Sequence, residues 1–380
     1  MLLIAIAAVA GAYQVVAIVA CLRRRRGQGT GRSRPSGAAG VRGQQEGVSI
    51  LKPIRGLDEG LREAIASHSA LGGEYELLCG VSSLEDPAVA VIREFSREFS
   101  HIRLIECHTQ TPNGKVGVLM DLAAEARYPI LIVNDADIRV EPDYLSRVTA
   151  PLEDPQVGLV TCLYRVRVDK SPVDHTTGST FAARFEGLGV STDFAPSALV
   201  ARMVGVDEFA MGSTMAFRRA DLERIGGFAA IADYLADDYQ LGHRIHALGL
   251  KCVLSDAIVE TRLSGGWSGI WQHQLRWART IRVSKFGGYL GIPITNATVW
   301  AVIAAAAGEW RIALALIVAR LLMALESGWF VMGSREVLRL WWAIPLRDLF
   351  AAAVWCAGLF GNSVMWRGRR LKLDREGRIV

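Results

Sequence analysis

The first 22 residues of the chain contain no charged side chain, and four arginines (residues 23–26) follow them directly. At about 1.5 Å per residue, a helix of this length crosses a hydrocarbon core of roughly 30 Å. A cleaved signal peptide carries its positive charge before the apolar run, whereas here the charge comes after it. The sequence therefore predicts a transmembrane anchor over residues 1–22, with the residues after it on the cytoplasmic side by the positive-inside rule.

A second apolar region begins after residue 290. Segments 291–308, 312–332 and 338–366 are candidates for membrane helices, and the last contains Arg347 and Asp348. A charged pair is costly in lipid and is expected to face protein, a partner or water. We predict membrane helices over residues 291–366 and a basic tail over 367–380. Three spans would place that tail outside, against the positive-inside rule, whereas a re-entrant or interfacial segment would keep it inside.

The positive charge of the chain is concentrated beside these apolar segments. Residues 21–46 carry seven Arg and one Glu, and residues 367–380 carry six basic and two acidic residues, although the net charge of the whole chain is only +5. Basic clusters of this kind are attracted to anionic lipid headgroups by about 1 kcal/mol per residue. We therefore expect a membrane bilayer, and no nucleic acid, as partner. Residues 23–46, rich in Gly, Ser, Gln and Arg, are predicted to form a basic flexible linker.

Between residues 47 and 265, short apolar runs alternate with amphipathic stretches. This alternation predicts an α/β domain with a doubly wound, mostly parallel sheet. Ligands of such a sheet bind at the carboxyl ends of its strands. The predicted strands are 48–51, 75–81, 102–106, 130–134, 157–163, 213–217 and 251–254, with helices over 60–70, 88–99 and 116–126.

Two carboxylates follow the predicted strand ILIV almost at once. Asn134 comes first, and Asp135 and Asp137 stand on either side of an alanine. Carboxylates two residues apart can share a hard cation, and Mg²⁺ is typically held by one or two of them together with substrate phosphates. The pattern predicts a Mg²⁺ or Mn²⁺ site for a nucleotide diphosphate. The structural alternative is an Asx turn that caps the next element.

Three further positions carry candidate side chains, each with a structural alternative. Asp86 can cap the helix that follows it, although its loop lies over the same sheet edge as Asp135. Lys115 opens a helix, where a cation suits a phosphate. Asp237 and Asp238 stand at a helix start, where carboxylates are common caps. A buried carboxylate beside a metal and a sugar can instead act as general base for an acceptor hydroxyl.

The stretch QHQLRW (272–277) combines basic and aromatic side chains. In isolation it is typical of an amphipathic interfacial helix, which we predict over residues 266–290. Arg276 can also neutralise a leaving diphosphate, because the guanidinium group fits phosphate geometry.

Taken in this order, the segments resemble the family 2 type glycosyltransferases, and among them the ceramide glucosyltransferase family with its bacterial hopanoid glycosyltransferase relatives. The resemblance implies a GT-A-like fold and an inverting transfer of glucose or N-acetylglucosamine from a UDP-sugar to a lipid hydroxyl, such as that of ceramide or bacteriohopanetetrol. The matching segments are VSILKPIRG (48–56), LLCGVSSLEDPA (77–88), NGKVG (113–117), VNDADI (133–138), GLVTCLYR (158–165), MGSTMAFRR (211–219), ADYLADDY (232–239) and QHQLRW (272–277).

The resemblance also implies roles for individual residues. Asp86 matches an aspartate that contacts the nucleotide, Asp135 one that binds the metal–diphosphate with help from Asp137, and Asp238 the catalytic base. Lys115 is expected to join the nucleotide-sugar site.

The terminal motif of the family, (Gln/Arg)xxRW, matches Arg276 and Trp277, which are expected to bind the nucleotide-sugar. The chain departs from it at His273, where the family has Gln or Arg. Histidine can still donate a hydrogen bond, so we expect the function to be retained.

Two other functions share much of this pattern. A processive polysaccharide synthase has the same core but needs enough spans to build a channel. A non-catalytic membrane scaffold would use the acidic residues as helix caps. The Ala-, Gly- and Arg-rich composition suggests a GC-rich bacterium, so we expect a multi-pass protein of the bacterial inner membrane with a cytoplasmic catalytic domain.

Overall fold

The computed structural model describes residues 1–31, 46–58, 60–167, 179–263 and 266–380. Most of the predicted linker, residues 32–45, lies outside the described residues. The chain divides into two compact units. The sheet unit takes the described residues of 35–164, 207–262 and 378–380, and the membrane-helix unit those of 1–34, 165–206 and 263–377. Residues 165–167 and 179–206, predicted within the catalytic domain, thus belong to the membrane-helix unit.

The strands of the sheet unit are β1 (Val48–Pro53), β2 (Tyr75–Val81), β3 (Ile102–Glu106), β4 (Ile130–Val133), β5 (Val157–Arg167), β6 (Met215–Arg218) and β7 (Lys251–Arg262). In the part of the chain that the structure describes, they form one seven-stranded sheet in the order β3-β2-β1-β4-β6-β5-β7. Strands β1 to β4 pair in parallel, and β6 runs antiparallel to β4 and β5. The predicted α/β fold with a mostly parallel sheet is confirmed.

The helices alternate with the early strands and dominate the second half of the chain. They are α1 (Leu2–Gly31), α2 (Leu61–Ser69), α3 (Ala88–Glu98), α4 (Gly114–Glu125), α5 (Tyr144–Thr149), α6 (Ser179–Gly189), α7 (Ala195–Met203), α8 (Arg219–Arg224), α9 (Asp237–Ala247), α10 (Trp267–Ser284), α11 (Phe286–Thr295), α12 (Ala297–Ala306), α13 (Trp310–Leu325), α14 (Glu336–Arg339) and α15 (Ile344–Gly358).

Both faces of the sheet are covered, because successive side chains of a strand point to opposite faces. In β1, Ile50 packs into a core that contains Leu61 and Ile65 of α2. The next residue, Leu51, packs on the other side with Leu119 of α4. The apolar run of β1 therefore serves two cores, as expected for a doubly wound sheet.

The membrane-helix unit contains two helical segments, Leu2–Gly27 and Trp310–Val331, that are long and apolar enough to cross a membrane among the described residues. Helices α11 and α12 add a third if they form one span, although they meet at a bend of 51°. The break lies at Asn296, whose side chain caps α12 by accepting a hydrogen bond from the Val299 amide at 3.1 Å. These segments support the predicted membrane protein. Helix α1 continues past the predicted end of the anchor through the arginines, which are good helix formers.

The predicted segment 338–366 is divided in the structure. Helix α15 has 15 residues, fewer than the roughly 20 that span a bilayer. After it, β8 (Ser363–Trp366) and β9 (Arg369–Lys372) form a hairpin. Arg367 and Gly368 between them have φ of 48° and 76°, the left-handed conformation that a two-residue hairpin turn requires. The predicted basic tail therefore begins with a hairpin turn and strand.

Candidate active site

Loops after three parallel strands meet at one edge of the sheet. Asp86 follows β2, Gly56 follows β1 and Asp135 follows β4, and β1 lies between the other two strands. Asp86 Oδ2 accepts a hydrogen bond from the Gly56 amide at 2.8 Å, and Oδ1 accepts one from the Ala88 amide at 2.9 Å. Asp86 therefore caps α3 and holds the β1 loop against it. Its contact with a nucleotide stays a prediction.

Lys115 brings two acidic segments together. Its Nζ lies 2.9 Å from Asp135 Oδ1 and 2.9 Å from Asp237 Oδ2. Asn113 fixes the start of α4, because its side chain accepts from the Lys115 amide at 3.1 Å and donates to the Tyr234 carbonyl at 2.8 Å. Burial alone would lower the pKa of Lys115, but Asp135 and Asp237 outweigh it and raise that pKa. The ammonium group therefore stays charged.

Asp238 lies in the first turn of α9 with its carboxylate held by backbone amides. Oδ2 accepts from the Gly212 amide at 3.0 Å, and Oδ1 accepts from the Tyr239 amide at 2.7 Å. Burial and, after it, the negative charge of Asp237 raise the pKa of Asp238 to about 6. A carboxylate with a pKa near neutral pH can accept a proton more readily than an ordinary aspartate.

Gly212 lies in the middle of these groups, and sequence reasoning did not single it out. A Cβ placed there would be 3.1 Å from Asp135 Oδ2, 3.6 Å from Asp238 Oδ2 and 3.6 Å from Lys115 Nζ. Three predicted site residues therefore lie around Gly212, close enough that a side chain there would contact all three. The sequence did contain a signal, because Gly212 lies in the segment MGSTMAFRR (211–219) that resembles the family.

The carboxylate of Asp135 suits a divalent cation whose remaining ligands would be water and the phosphates of a substrate. Among the described residues, no group of three or more His, Cys, Asp or Glu side chains could hold a metal. The Asp135 side chain is 44% exposed and lies beside Gly212. Mg²⁺ often takes only one or two protein carboxylates, with water and phosphates in its other positions, and Mn²⁺ also prefers oxygen ligands.

Asp137 has a different environment from Asp135. Its Oδ2 accepts a hydrogen bond from the Thr261 hydroxyl, and burial raises the pKa of its carboxyl group. Its role as a metal ligand stays a prediction.

Lys52 supports the loop that carries these aspartates, and the sequence reasoning missed it. The side chain is fully buried in β1. Its Nζ donates to the carbonyl of Asp135 at 2.8 Å and to those of Ala136 and Ile138 at 3.4 Å each. Burial lowers the pKa of Lys52 to about 8. The sequence does place this lysine inside an apolar strand. A buried ammonium group needs hydrogen-bond partners, so the position could have been recognised from the sequence.

Arg276 and Trp277 lie in α10, which belongs to the membrane-helix unit. The Trp277 and His273 rings have centroids 4.6 Å apart. His273 Nδ1 lies 2.6 Å from Glu186 Oε1, and Gln274 donates to the same oxygen at 2.9 Å. His273, the departure from the family pattern, is therefore paired with a buried glutamate that sequence reasoning missed. The roles of Arg276 and Trp277 stay predictions.

The conserved sequence profile of glycosyl transferase family 21 matches residues 2–379, nearly the whole chain. The chain belongs to glycosyl transferase family 21. The names of the relatives described next confirm the predicted resemblance to the ceramide glucosyltransferases.

Two relatives of this family 21 chain have names that refer to lipids. Ceramide glucosyltransferase 1 of Caenorhabditis elegans is 28% identical over 214 residues, which are 55% of this chain and 44% of that protein. A beta-monoglucosyldiacylglycerol synthase of Trichormus variabilis is 23% identical over 219 residues, 57% of this chain and 43% of that protein. The matched region thus spans less than half of either relative.

Among solved structures, the chain is similar to the mannosyltransferase PcManGT from Pyrobaculum calidifontis, which was solved in complex with GDP-Man and Mn²⁺. The identity is 19% and the TM-score 0.48, over 92% of this chain and 98% of that one.

Proposed function

We propose that this family 21 chain is a membrane-bound inverting glycosyltransferase that moves glucose or N-acetylglucosamine from a UDP-sugar to a lipid hydroxyl. The observation that carries the proposal is the convergence of Lys115, Asp135 and Asp238 around Gly212. A nucleotide diphosphate needs cationic partners and an acceptor hydroxyl needs a base. Lys115, together with a divalent cation that Asp135 would hold, can serve the diphosphate, and Asp238 can serve as the base. The names of the two relatives support a lipid as acceptor.

Each residue of the site has a distinct task in this reaction. Lys115 binds the negative charge of the diphosphate and holds Asp135 and Asp237 in place. Asp238 accepts the proton of the lipid hydroxyl while its oxygen bonds to the anomeric carbon. The bond from that carbon to the diphosphate breaks, UDP leaves with the bonding electrons, and the configuration inverts. A divalent cation held by Asp135 and Asp137 would stabilise the charge of the leaving diphosphate.

Three further residues are proposed to bind the donor. Asp86 contacts the nucleotide, and Arg276 and Trp277 bind the nucleotide-sugar. Arginine suits this task because its guanidinium group pairs with phosphate oxygens.

We place the protein in the bacterial inner membrane, as a multi-pass protein with its sheet unit in the cytoplasm. The arginines directly after the apolar part of α1 favour this orientation. UDP-sugars would then reach the site from the cytoplasm.

The test uses membranes that contain the full chain, with Mg²⁺ or Mn²⁺. UDP-glucose and UDP-N-acetylglucosamine are each offered with ceramide, diacylglycerol or bacteriohopanetetrol, and products are identified by mass spectrometry and NMR. We expect one sugar on one lipid, with a β linkage from the α-linked donor. A retained α linkage would contradict inversion, a long polymer would favour a polysaccharide synthase, and no product from any pair would contradict the proposal.

A further inference from the structure

Residues 211–214 form a tight turn just before β6, in the sheet unit. The Thr214 amide donates to the Met211 carbonyl at 3.1 Å and closes the turn. Within the turn, the Gly212 amide donates to Asp238 Oδ2 at 3.0 Å. The orientation of the Asp238 carboxylate therefore depends on how this turn is held.

A single hydroxyl group, that of Thr161 in β5, holds both ends of the turn. The side chain is fully buried. Its Oγ1 accepts a hydrogen bond from the Met211 amide at 3.0 Å and donates one to the Thr214 carbonyl at 2.8 Å. A hydroxyl can donate and accept at the same time, whereas an aliphatic side chain can do neither. Thr161 is therefore bonded to the backbone on either side of Gly212.

The register of three neighbouring strands places Thr161 at this point. Thr161 of β5 pairs with Met215 of β6, and Met215 pairs with Val133 of β4. Asn134 and Asp135 follow Val133 directly. The sheet therefore brings the Thr161 hydroxyl to the same edge as the loop that carries Asp135, although the two residues belong to different strands.

Two further buried side chains hold the middle of the turn. Asn134 Nδ2 donates to the Ser213 carbonyl at 2.7 Å, and Ser213 Oγ donates to the Cys162 carbonyl at 3.0 Å. Asn134 and Ser213 are 0% and 5% exposed. Strands β4 and β5 thus hold the turn together, and a buried network of this kind fixes the backbone closely when its members are paired.

We propose that Thr161 is a positioning residue for the transfer, because it holds the 211–214 turn so that the Gly212 amide orients the carboxylate of Asp238. The inference rests on the proposed function and adds a residue that acts through the base without touching a substrate. Without the hydroxyl, two backbone groups beside Gly212 lose their partner, the turn relaxes and the carboxylate moves. A displacement of about 1 Å can cost on the order of 10²-fold in rate.

The test compares Thr161→Val with the wild-type full-length protein in nanodiscs, using a UDP-sugar and a lipid that give product with the wild type. Valine has nearly the shape of threonine but no hydroxyl. We expect the single-turnover rate of lipid glycosylation to fall roughly tenfold, while the affinity for UDP stays within about twofold, because the base and not the donor is displaced. Thr161→Ser keeps the hydroxyl and should recover most of the rate.

Ser49→Ala is the control for the loss of a buried hydroxyl. Ser49 of β1 is fully buried, donates to Glu76 Oε1 at 2.8 Å and accepts from the Tyr128 amide at 3.1 Å. It therefore makes the same two kinds of bond as Thr161 with other partners. We expect lower stability with a wild-type rate. If Ser49→Ala slows transfer as much as Thr161→Val, lost stability explains the effect and the positioning role is overturned.

A double-mutant cycle tests whether Thr161 acts through Asp238. Once Asp238→Asn has removed the base, adding Thr161→Val should change the remaining rate by less than about twofold, because coupled residues are not additive. A further loss of roughly tenfold in that background would overturn the positioning role.

Ser213→Ala serves as a second variant in case Thr161→Val does not fold, and the same pattern of rate and UDP affinity is expected. If Asp238→Asn is slow but Thr161→Val and Ser213→Ala transfer sugar at the wild-type rate, the positioning role is overturned and the proposed function stands. If the wild-type protein glycosylates no lipid, both proposals fail.

Discussion

Asp238 can accept a proton only as a carboxylate, so its ionisation sets the lower pH limit of the proposed reaction. Burial and Asp237 raise its pKa from 3.8 to about 6. We therefore expect kcat/KM to fall below about pH 6, where the protonated acid begins to dominate. Asp237→Asn removes a negative neighbour, so it should lower the pKa of Asp238 and move this limit to lower pH. A pH profile of each protein checks this, and a shift to higher pH in the variant would contradict the assignment.

Lys52 is a positioning residue for the loop that carries Asp135. Lys52→Met leaves three buried carbonyls without their donor, so we expect the free energy of unfolding to fall by about 1–3 kcal/mol. The Mn²⁺ concentration for half-maximal activity should rise on the order of 10- to 100-fold, as for other groups that orient metal ligands. Lys251→Met, at an exposed position of β7, is the control. Lower stability with an unchanged dependence of activity on Mn²⁺ would show that Lys52 has only a structural role.

The parts of the site that lie within one motif could be predicted, and those that depend on packing could not. Asp135 and Asp238 stand in short recognisable segments, so the sequence alone makes them candidates, and their roles stay predictions. Lys52 of β1 holds the loop that follows β4, and Gly212, just before β6, lies beside the same loop. The strands β1, β4 and β6 are separated from one another by more than 70 residues along the chain. Such contacts arise from strand order, which a single sequence does not display.

The segment before β6 contributes a backbone position to the site through Gly212. Gly212→Ala would place a methyl group 3.1 Å from Asp135 Oδ2 and 3.6 Å from Asp238 Oδ2. We expect kcat/KM for the UDP-sugar to fall by roughly 10- to 100-fold, because small displacements of reacting groups are costly. The melting temperature should change little. Gly72→Ala, where a Cβ meets no atom within 4 Å, is the control, and wild-type kinetics in Gly212→Ala would argue that substrate does not bind beside Gly212.

Among the elements, those defined by apolar runs matched their predictions best. The bounds of β2 and β3 agree with the predicted 75–81 and 102–106, but β5 continues to Arg167 and β7 to Arg262. The added residues include polar side chains, so no apolar pattern marks them in the sequence. Hydrogen bonds to the neighbouring strand can continue along such residues and extend the strand. Likewise, hydrophobicity alone does not separate α15 from the hairpin that follows it.

At the scale of the whole molecule, more than one segment is suited to a membrane. Removing residues 1–31 takes away α1, whose Ala7 and Ala10 pack with Ala297 of α12 and Leu316 of α13. We expect the shortened protein to be less stable and still to need detergent, because Trp310–Val331 is itself long and apolar. Partitioning between aqueous and detergent phases, with the full chain as control, checks this. A shortened protein that stays in the aqueous phase would contradict the assignment of α13.

The most direct test of the account compares Asp238→Asn with Asp233→Asn. Asp233 is an exposed aspartate of the same segment, so its variant controls for the loss of a negative charge. We measure the single-turnover rate of lipid glycosylation and the affinity for UDP. A positioned base contributes about 10² to 10⁴ in rate, so Asp238→Asn should lose that much while it still binds UDP, and Asp233→Asn should resemble the wild type. Near wild-type turnover in Asp238→Asn would show that Asp238 is not the base.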